Sequence, residues 1–330
     1  MHLPILDLSQ LDAGEAAATS FRDALREATH HVGFFYLVGH GIPDDVTVRA
    51  FAAAERFFAL PLEEKTAVQM LNSPHFRGYT RTGGEFTQGR VDWREQIDLG
   101  PDREAVDDGG APAFMRLQGP NQWPAAQPEL REVFTDWAQR CSEVAIRLMR
   151  SWALALGSPQ DVFDAAFAPD PSYLMKLIRY PGRAEEDGQG VGAHKDTGVL
   201  TLLMVEPGKD GLQVGYEEGW IDAPAVPGAF VVNIGELMEH ATGGYLKATV
   251  HRVVSPPLDQ TRVSIPFFFN PALDSTFPTL TLPPELAAQA RGVTDDPDNV
   301  ITGTLGANML KSRLRAHPDV AAAHHADLLA

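Results

Sequence analysis

Residues 192–198 read GAHKDTG and place His194 and Asp196 two positions apart among small residues. A second histidine, His251, follows in the β-branched stretch VHRV. Two imidazoles and one carboxylate that leave coordination positions open are the ligand set that suits non-haem Fe(II), although the same set could hold zinc. The sequence therefore predicts a metal site formed by His194, Asp196 and His251.

Around this motif, short apolar segments alternate with turn residues from about residue 172 to 282, which predicts a sandwich or barrel of short strands. The segments cover residues 173–180, 199–206, 212–214, 230–234, 249–254 and 262–269. Residues two apart on a strand point to the same face. We therefore expect His194 and Asp196 to share a strand face, with His251 on another strand of the same sheet.

Helical periodicity flanks this β-region on both sides. It predicts helices over residues 16–31, 44–59, 128–156, 307–316 and 319–329, and strands over 4–8 and 34–38. Residues 71–126 are rich in Gly, Pro and charge, and we interpret them as long connecting structure. The predicted organisation is an N-terminal region (1–125), connecting helices (126–171), a β-core (172–282) and a C-terminal helical cover (283–330).

Composition narrows the class of protein. The chain has 330 residues, 44% of them hydrophobic, and a formal net charge of −17. That charge disfavours nucleic acid and anionic membranes as partners. One cysteine, Cys141, excludes an intrachain disulfide and a cysteine metal cluster. Without a signal peptide or an apolar run long enough to cross a membrane, we expect a cytoplasmic protein, with no protein partner implied.

A second constellation follows the metal motif. Arg262 and Ser264 stand two apart in a predicted strand, so their side chains share a face. A guanidinium binds a carboxylate bidentately, and a nearby hydroxyl adds a third hydrogen bond. Tyr180 could point into the cavity that this strand face would line and donate its phenolic O–H there. The alternative is an ordinary ion pair beside a strand serine.

The same parity argument supplies candidate substrate contacts. If Tyr180 faces the cavity, then Lys176 and Ile178 face it too, and Phe268 shares its face with Arg262. Buried lysines are uncommon unless they are paired. Lys176 therefore either holds a carboxylate of the substrate or co-substrate, or pairs with an acid of the protein.

Several ordered motifs together resemble a known family. Residues 33–43 (GFFYLVGHGIP) and 57–65 (FFALPLEEK) are followed by the His-x-Asp motif, then by GLQV at 211–214, NIGE at 233–236, HRV at 251–253, and RVS with PFF at 262–268. This order resembles the isopenicillin N synthase-like 2-oxoglutarate- and Fe(II)-dependent oxygenases, and it covers most of the chain.

The resemblance implies a mixed α/β protein whose all-β core is a double-stranded β-helix (jelly roll) flanked by helices. It implies His194, Asp196 and His251 as Fe(II) ligands, and Arg262 and Ser264 as the residues that bind 2-oxoglutarate, helped by Tyr180. The implied activity couples 2-oxoglutarate decarboxylation and O₂ reduction to hydroxylation, desaturation or cyclisation of a small molecule.

The segment around Ile178 and Tyr180 looks more like isopenicillin N synthase itself, which keeps the Arg-x-Ser motif but does not use 2-oxoglutarate. An oxidase of that type is therefore one alternative. A non-catalytic ligand-binding member of the fold is another.

Overall fold

The computed structural model describes residues 2–106, 109–184, 188–293 and 300–329. Its strands are β1 Ile5–Asp7, β2 Phe34–Val38, β3 Gly78–Thr80, β4 Phe86–Thr87, β5 Arg90–Val91, β6 Glu95–Leu99, β7 Ser172–Pro181, β8 Gln189–His194, β9 Leu200–Val205, β10 Leu212–Tyr216, β11 Gly219–Asp222, β12 Phe230–Ile234, β13 His251–Val254 and β14 Thr261–Asn270.

Its helices are α1 Glu15–His31, α2 Asp44–Ala59, α3 Leu62–Ala67, α4 Glu129–Ala155, α5 Asp164–Phe167, α6 Glu236–Ala241, α7 Pro284–Ala287, α8 Leu305–Ala316 and α9 Pro318–His324. Short 3₁₀ turns cover Leu8–Asp12, Met70–Asn72, Ala113–Leu117 and Ala326–Leu328. Within the described ranges, no helix is both long and apolar enough to cross a membrane. The cytoplasmic location stays a prediction.

Two sheets form the jelly roll. The large sheet has the strand order β1-β2-β12-β9-β14-β7-β6-β3, and the small sheet has the order β11-β10-β13-β8. β1 and β2 pair in parallel, whereas the other pairs within these two sheets are antiparallel. Strands of the N-terminal region extend the large sheet at both ends, so that region and the β-core share one sheet.

The large sheet separates two apolar cores. On β14, Val263, Ile265 and Phe267 pack into the core that the sheet forms with α1, α2 and α4. The strand period of two sends the intervening residues to the opposite face, which looks toward the small sheet. Ile178 and Tyr180 lie on that inner face, in a smaller core that both sheets contribute to. The site residues therefore come from the inner face.

Helix α4 supports the outer core. It buries a continuous stripe of large apolar residues that includes Trp137 and Trp152, both fully enclosed. Complete burial of such a side chain contributes about 1.5–3 kcal/mol to stability. Gly157, at a φ of 76°, follows the C-terminus of the helix in the left-handed conformation that favours glycine. This rigid support fixes the position of the large sheet.

Our interpretation of residues 71–126 as connecting structure was wrong in part, since this stretch contains four strands. Strand β6 lies between β7 and β3 and is buried along its whole length. Three of its five residues are polar, and their side chains find partners: Glu95 pairs with Lys65 at 2.9 Å, and Gln96 donates to Asp98 at 2.6 Å. A buried strand stabilised in this way shows no apolar pattern. The weakly patterned strand β11 was also missed, and β8 was expected only around His194.

Candidate metal centre

The three predicted ligands converge at one end of the inner cavity. His194 is the last residue of β8 and His251 is the first residue of β13, and the two lie opposite each other in the small sheet. Their Nε2 atoms lie 3.5 and 3.7 Å from Oδ1 of Asp196. The potential ligand atoms of the three residues all lie within 4.8 Å of one another. One cation can therefore be contacted by all three side chains.

The expectation that His194 and Asp196 share a strand face was wrong. β8 ends at His194, and Asp196 lies in the loop that leads to β9. The chain turns there, and the backbone carbonyl of Asp196 accepts the N–H of Glu236 at 2.7 Å. The aspartate is thus positioned by α6 and the large sheet rather than by strand parity.

Backbone carbonyls orient both imidazoles. Nδ1 of His194 lies 2.8 Å from the carbonyl oxygen of Gly192, and Nδ1 of His251 lies 3.1 Å from that of Thr249. A carbonyl can only accept, so in these contacts each Nδ1 carries the proton. This tautomer leaves both Nε2 lone pairs available for a metal, as metal-binding histidines require.

The two carboxylate oxygens of Asp196 have different surroundings. Oδ2 accepts hydrogen bonds from Thr201 Oγ1 at 2.6 Å and from Asn233 Nδ2 at 2.8 Å, while Oδ1 faces the imidazoles. Thr201 and Asn233 lie opposite each other on β9 and β12, so their side chains share the inner face. Sequence reasoning did not assign either residue a role, although Asn233 belongs to the NIGE motif.

Charge and burial favour cation binding. Burial raises the pKa of Asp196, but His251 and His194 outweigh that effect and hold it well below its ordinary value. Burial and the neighbouring His194 lower the pKa of His251 to about 4. Burial also opposes protonation of His194, but the Asp196 carboxylate raises its pKa overall. Because a metal must displace the His194 proton, cation affinity should fall on acidification.

The predicted anchor for a carboxylate lies on the inner face of the large sheet. Arg262 is 1% exposed, and its guanidinium lies 5.0 Å from the centre of the Tyr180 ring. Among the described residues, no nitrogen of that guanidinium has a hydrogen-bond partner, and neither does Oγ of Ser264. Buried polar groups normally have partners, so an acceptor for these two side chains is missing from the described part of the chain. The predicted alternative, an ion pair within the protein, is not found there.

Two of the three predicted substrate contacts, Ile178 and Phe268, are apolar side chains on the inner face, whereas Lys176 is ion-paired. Ile178 is buried opposite Ser264, and Phe268, on the same face as Arg262, is half-buried opposite Thr201. Lys176 lies 2.8 Å from Glu85 and 3.6 Å from Asp98, so the ion-pair alternative describes its contacts.

Lys176 belongs to a buried ion network that sequence reasoning did not find. The acids of this network are Glu85 and Asp98, which both contact Lys176. Arg94 contacts Glu85 at 2.8 Å, and Arg313 of α8 contacts Asp98 at 2.8 Å. The residues are distant in sequence and no spacing signals their contact. The network joins the segment before β6, the inner face of β7 and the C-terminal helices.

Comparisons with known proteins agree with this geometry. Residues 3–126 match the family described as non-haem dioxygenase in morphine synthesis N-terminal, and residues 171–271 match the 2OG-Fe(II) oxygenase superfamily. The two matches together cover more than half of the chain. The chain therefore belongs to the 2-oxoglutarate- and Fe(II)-dependent oxygenases.

Individual relatives cover nearly the whole chain. The 2-oxoglutarate-dependent dioxygenase frbJ of Dothideomycetidae sp. is 38% identical over 96% of this chain and 90% of its own. Homoarginine-6-hydroxylase 2-ODD-C23.1 of Arabidopsis thaliana is 35% identical over 85% and 88%. The crystal structure of a full-length Neurospora crassa protein in complex with alpha-KG and thymine aligns with a TM-score of 0.74 at 27% identity, covering 94% of this chain and 97% of that one.

The predicted family, jelly-roll fold and cofactors are thus confirmed. The protein is a non-haem Fe(II)-dependent oxygenase that couples 2-oxoglutarate decarboxylation and O₂ reduction to the oxidation of a small molecule. The oxidase and non-catalytic alternatives are not needed to account for the fold or for the convergent ligand set.

Proposed function

We propose that His194, Asp196 and His251 hold the Fe(II) of this oxygenase, and that Arg262 and Ser264 bind the distal carboxylate of 2-oxoglutarate. The observation that carries this proposal is the pair of unpartnered, buried side chains at Arg262 and Ser264. A carboxylate would supply the acceptors that both lack, and a charge-assisted bidentate contact is among the stronger hydrogen-bonding arrangements.

When bound, Fe(II) with 2-oxoglutarate supplies the oxidising chemistry. The chain's own residues prepare the site for it. Gly192 and Thr249 keep the protons of the two imidazoles on Nδ1, away from the metal side. Thr201 and Asn233 occupy one oxygen of Asp196, which leaves the other oxygen for the cation. Such preorganised ligands need little rearrangement when the metal binds.

We propose Tyr180, Ile178 and Phe268 as walls of the cavity. Tyr180 stacks against the Arg262 guanidinium and keeps water from it. Ile178 lies opposite Ser264 and Phe268 lies opposite Thr201, on the inner face that also carries the proposed co-substrate residues. An apolar lining lowers the local dielectric, which strengthens the contact between Arg262 and a carboxylate.

For the substrate we propose a small molecule with a charged group, and a basic amino acid as the first candidate. Several relatives are named homoarginine-6-hydroxylases, at 31–35% identity. The buried acids Glu85 and Asp98 already pair with the chain's own Lys176, Arg94 and Arg313, so this candidate rests on the relatives alone.

The first experiment is an anaerobic titration of metal-free protein with Fe(II) and 2-oxoglutarate, followed through the weak visible charge-transfer band of the chelate. We expect the band in wild type, its loss in His194→Ala, and a higher 2-oxoglutarate requirement in Arg262→Met. Arg49→Met, at an exposed helical position, serves as the matched control. A band that survives in His194→Ala, or an unchanged requirement in Arg262→Met, would overturn the assignment of that residue.

The substrate class is tested by succinate release with homoarginine, arginine, lysine and the neutral analogue citrulline. We expect coupled turnover, with a product heavier by one oxygen, for at least one cationic amino acid and much less for citrulline. Equal turnover of citrulline, or no coupling with any of the four despite a normal charge-transfer band, would reject this substrate class and leave the metal and co-substrate assignments standing.

A further inference from the structure

The carboxylate of Asp92 is fully buried and accepts four hydrogen bonds. Oδ1 accepts the backbone N–H of Gly192 at 3.1 Å and the amide of Gln189 at 3.0 Å. Oδ2 accepts from Thr87 Oγ1 at 2.8 Å and from Arg94 Nη2 at 3.1 Å. Two of the four donors belong to β8, the strand that ends at a proposed metal ligand.

Strand β8 needs such an external contact because it is the edge of the small sheet, where β13 is its one strand neighbour among the described residues. Its pairing with β13 is also irregular, with register shifts between His251 and Val254. An edge strand presents unpaired N–H and C=O groups on its open side. Asp92 accepts the N–H of Gly192 there, and the N–H of Trp93 donates to the carbonyl of Gln189 at 3.1 Å.

Gly192 connects this edge contact to the metal site. Its N–H is held by Asp92, and its carbonyl accepts the Nδ1 proton of His194. A Cβ at this position would lie 3.0 Å from Thr87 Cγ2 and from Gln189 Nε2, so a larger residue would have to push these side chains aside. Glycine therefore gives the segment that carries Asp92 room to approach β8 closely.

We propose that Asp92 is a positioning residue for His194. It fixes the backbone of Gly192, and the Gly192 carbonyl in turn sets the tautomer and direction of the imidazole. Groups that orient a metal-binding histidine commonly affect metal affinity by about 10–100-fold. This inference rests on the proposed function only in taking His194 as a metal ligand.

The test uses Co(II), whose visible spectrum reports both affinity and ligand geometry, added to metal-free protein without 2-oxoglutarate or substrate. We expect Asp92→Ala to weaken Co(II) binding by about 10–100-fold and to change the ligand-field spectrum. Asp92→Asn should weaken Co(II) binding to an intermediate extent. Its amide oxygen can still accept the Gly192 N–H, but the NH₂ that replaces the other oxygen cannot accept from Arg94.

Asp98→Asn is the matched control. Asp98 is equally buried and also ion-paired, but its contacts are with Gln96, Arg313 and Lys176 rather than with β8. It should lower thermal stability without changing Co(II) affinity or spectrum. Thr87→Val, which removes one donor to Asp92 at a partly exposed site, keeps the test usable if the aspartate variants fail to fold, and it should weaken Co(II) binding to a smaller extent.

The outcomes separate the two proposals. If folded Asp92→Ala, or Thr87→Val where the aspartate variants do not fold, binds Co(II) as wild type does while His194→Ala does not, the positioning role is wrong and the metal site stands. If Asp92→Asn and Asp98→Asn weaken Co(II) binding equally, Asp92 acts only through general stability, which also overturns the inference. If His194→Ala binds Co(II) like wild type, the proposed metal site itself fails.

Discussion

Arg262 carries a charge into the interior of the jelly roll without a partner for any of its nitrogens. Burial lowers the pKa of its guanidinium, while the neighbouring Tyr180 raises it. An unpaired buried charge costs stability, since the desolvation penalty is not offset by hydrogen bonds. Under the proposed function, the carboxylate of 2-oxoglutarate would supply the acceptors that this side chain lacks in the unliganded protein.

We therefore expect Arg262→Met to have opposite effects on stability and on co-substrate use. Without 2-oxoglutarate, the free energy of unfolding should stay constant or rise by about 1–3 kcal/mol, because an unpaired charge has been replaced by an apolar side chain of similar length. The KM for 2-oxoglutarate should rise by about 10–100-fold, as expected for loss of a charge-assisted hydrogen bond. Denaturant unfolding and succinate release measure the two quantities.

Arg252→Met provides the contrast. Arg252 donates to Gln213 at 2.8 Å and stacks 4.3 Å from the Trp220 ring, so its charge is already partnered. Its replacement should lower stability and leave the KM for 2-oxoglutarate unchanged. Destabilisation of Arg262→Met as large as that of Arg252→Met would show that the Arg262 charge is compensated in the unliganded protein.

Residue spacing predicted which side chains meet at the site, but not what surrounds them. His194 and His251 could be found because their motifs are short and ordered. Position on a predicted helix suggests exposure for His30, His324 and His325, but only His324 is exposed. His30 is buried, with its ring stacked 4.3 Å from the Tyr245 ring and hydrogen-bonded to the Tyr245 carbonyl, and His325 is buried against Phe76. Helical periodicity within one segment cannot show which distant segment will cover a helix end.

At the level of elements, helix α8 reaches the inner face of the large sheet through polar contacts, whereas its Leu305 and Leu310 are buried in the apolar core. Arg313 pairs with Asp98, and His317 lies 3.5 Å from Glu85 and 3.2 Å from Arg313. Such contacts leave no apolar pattern, so the sequence predicted the helix and not its docking site. The same holds for β6, where Glu95 pairs with Lys65 and Asp98 pairs with Arg313, both outside the strand.

His317 makes this docking sensitive to pH. Burial lowers its pKa from an ordinary 6.5 to about 4, although Glu85 opposes the shift and Arg313 adds to it. Between those values the unfolded chain binds a proton that the folded protein does not bind, so the free energy of unfolding must fall as the pH decreases. By about pH 5 the loss amounts to roughly 2 kcal/mol, at about 1.4 kcal/mol for each pH unit.

His317→Gln should remove that part of the pH dependence. We expect the variant to lose less stability than wild type between about pH 7 and pH 5, with the two curves converging toward acid. Chemical denaturation of metal-free protein at several pH values measures the difference, and the shared titration of His251 cancels between the two proteins. Parallel curves would mean that His317 is protonated in the folded protein, or that α8 does not stay docked.

At the scale of the whole molecule, the metal site joins the two sheets of the jelly roll. His194 and His251 belong to the small sheet, whereas Asp196 is held by Thr201 and Asn233 of the large sheet. The sequence predicted that these groups would meet. It correctly placed His194 and His251 on strands of one sheet, but it also placed Asp196 on the strand of His194, and β8 ends before that residue.

A cation bound by all three ligands should therefore stabilise the small sheet more than the large one. Binding to the folded state alone contributes about 2.7 kcal/mol at a hundredfold excess over Kd, which slows opening of the sheets by about 100-fold. We expect Co(II) to slow hydrogen exchange in Gln189–His194 and His251–Val254 strongly, and in Thr261–Asn270 only weakly. His194→Ala should show no metal-dependent slowing. Uniform slowing of hydrogen exchange across both sheets would mean that the sheets open as one cooperative unit. The metal would then stabilise the whole fold and not the junction between its sheets.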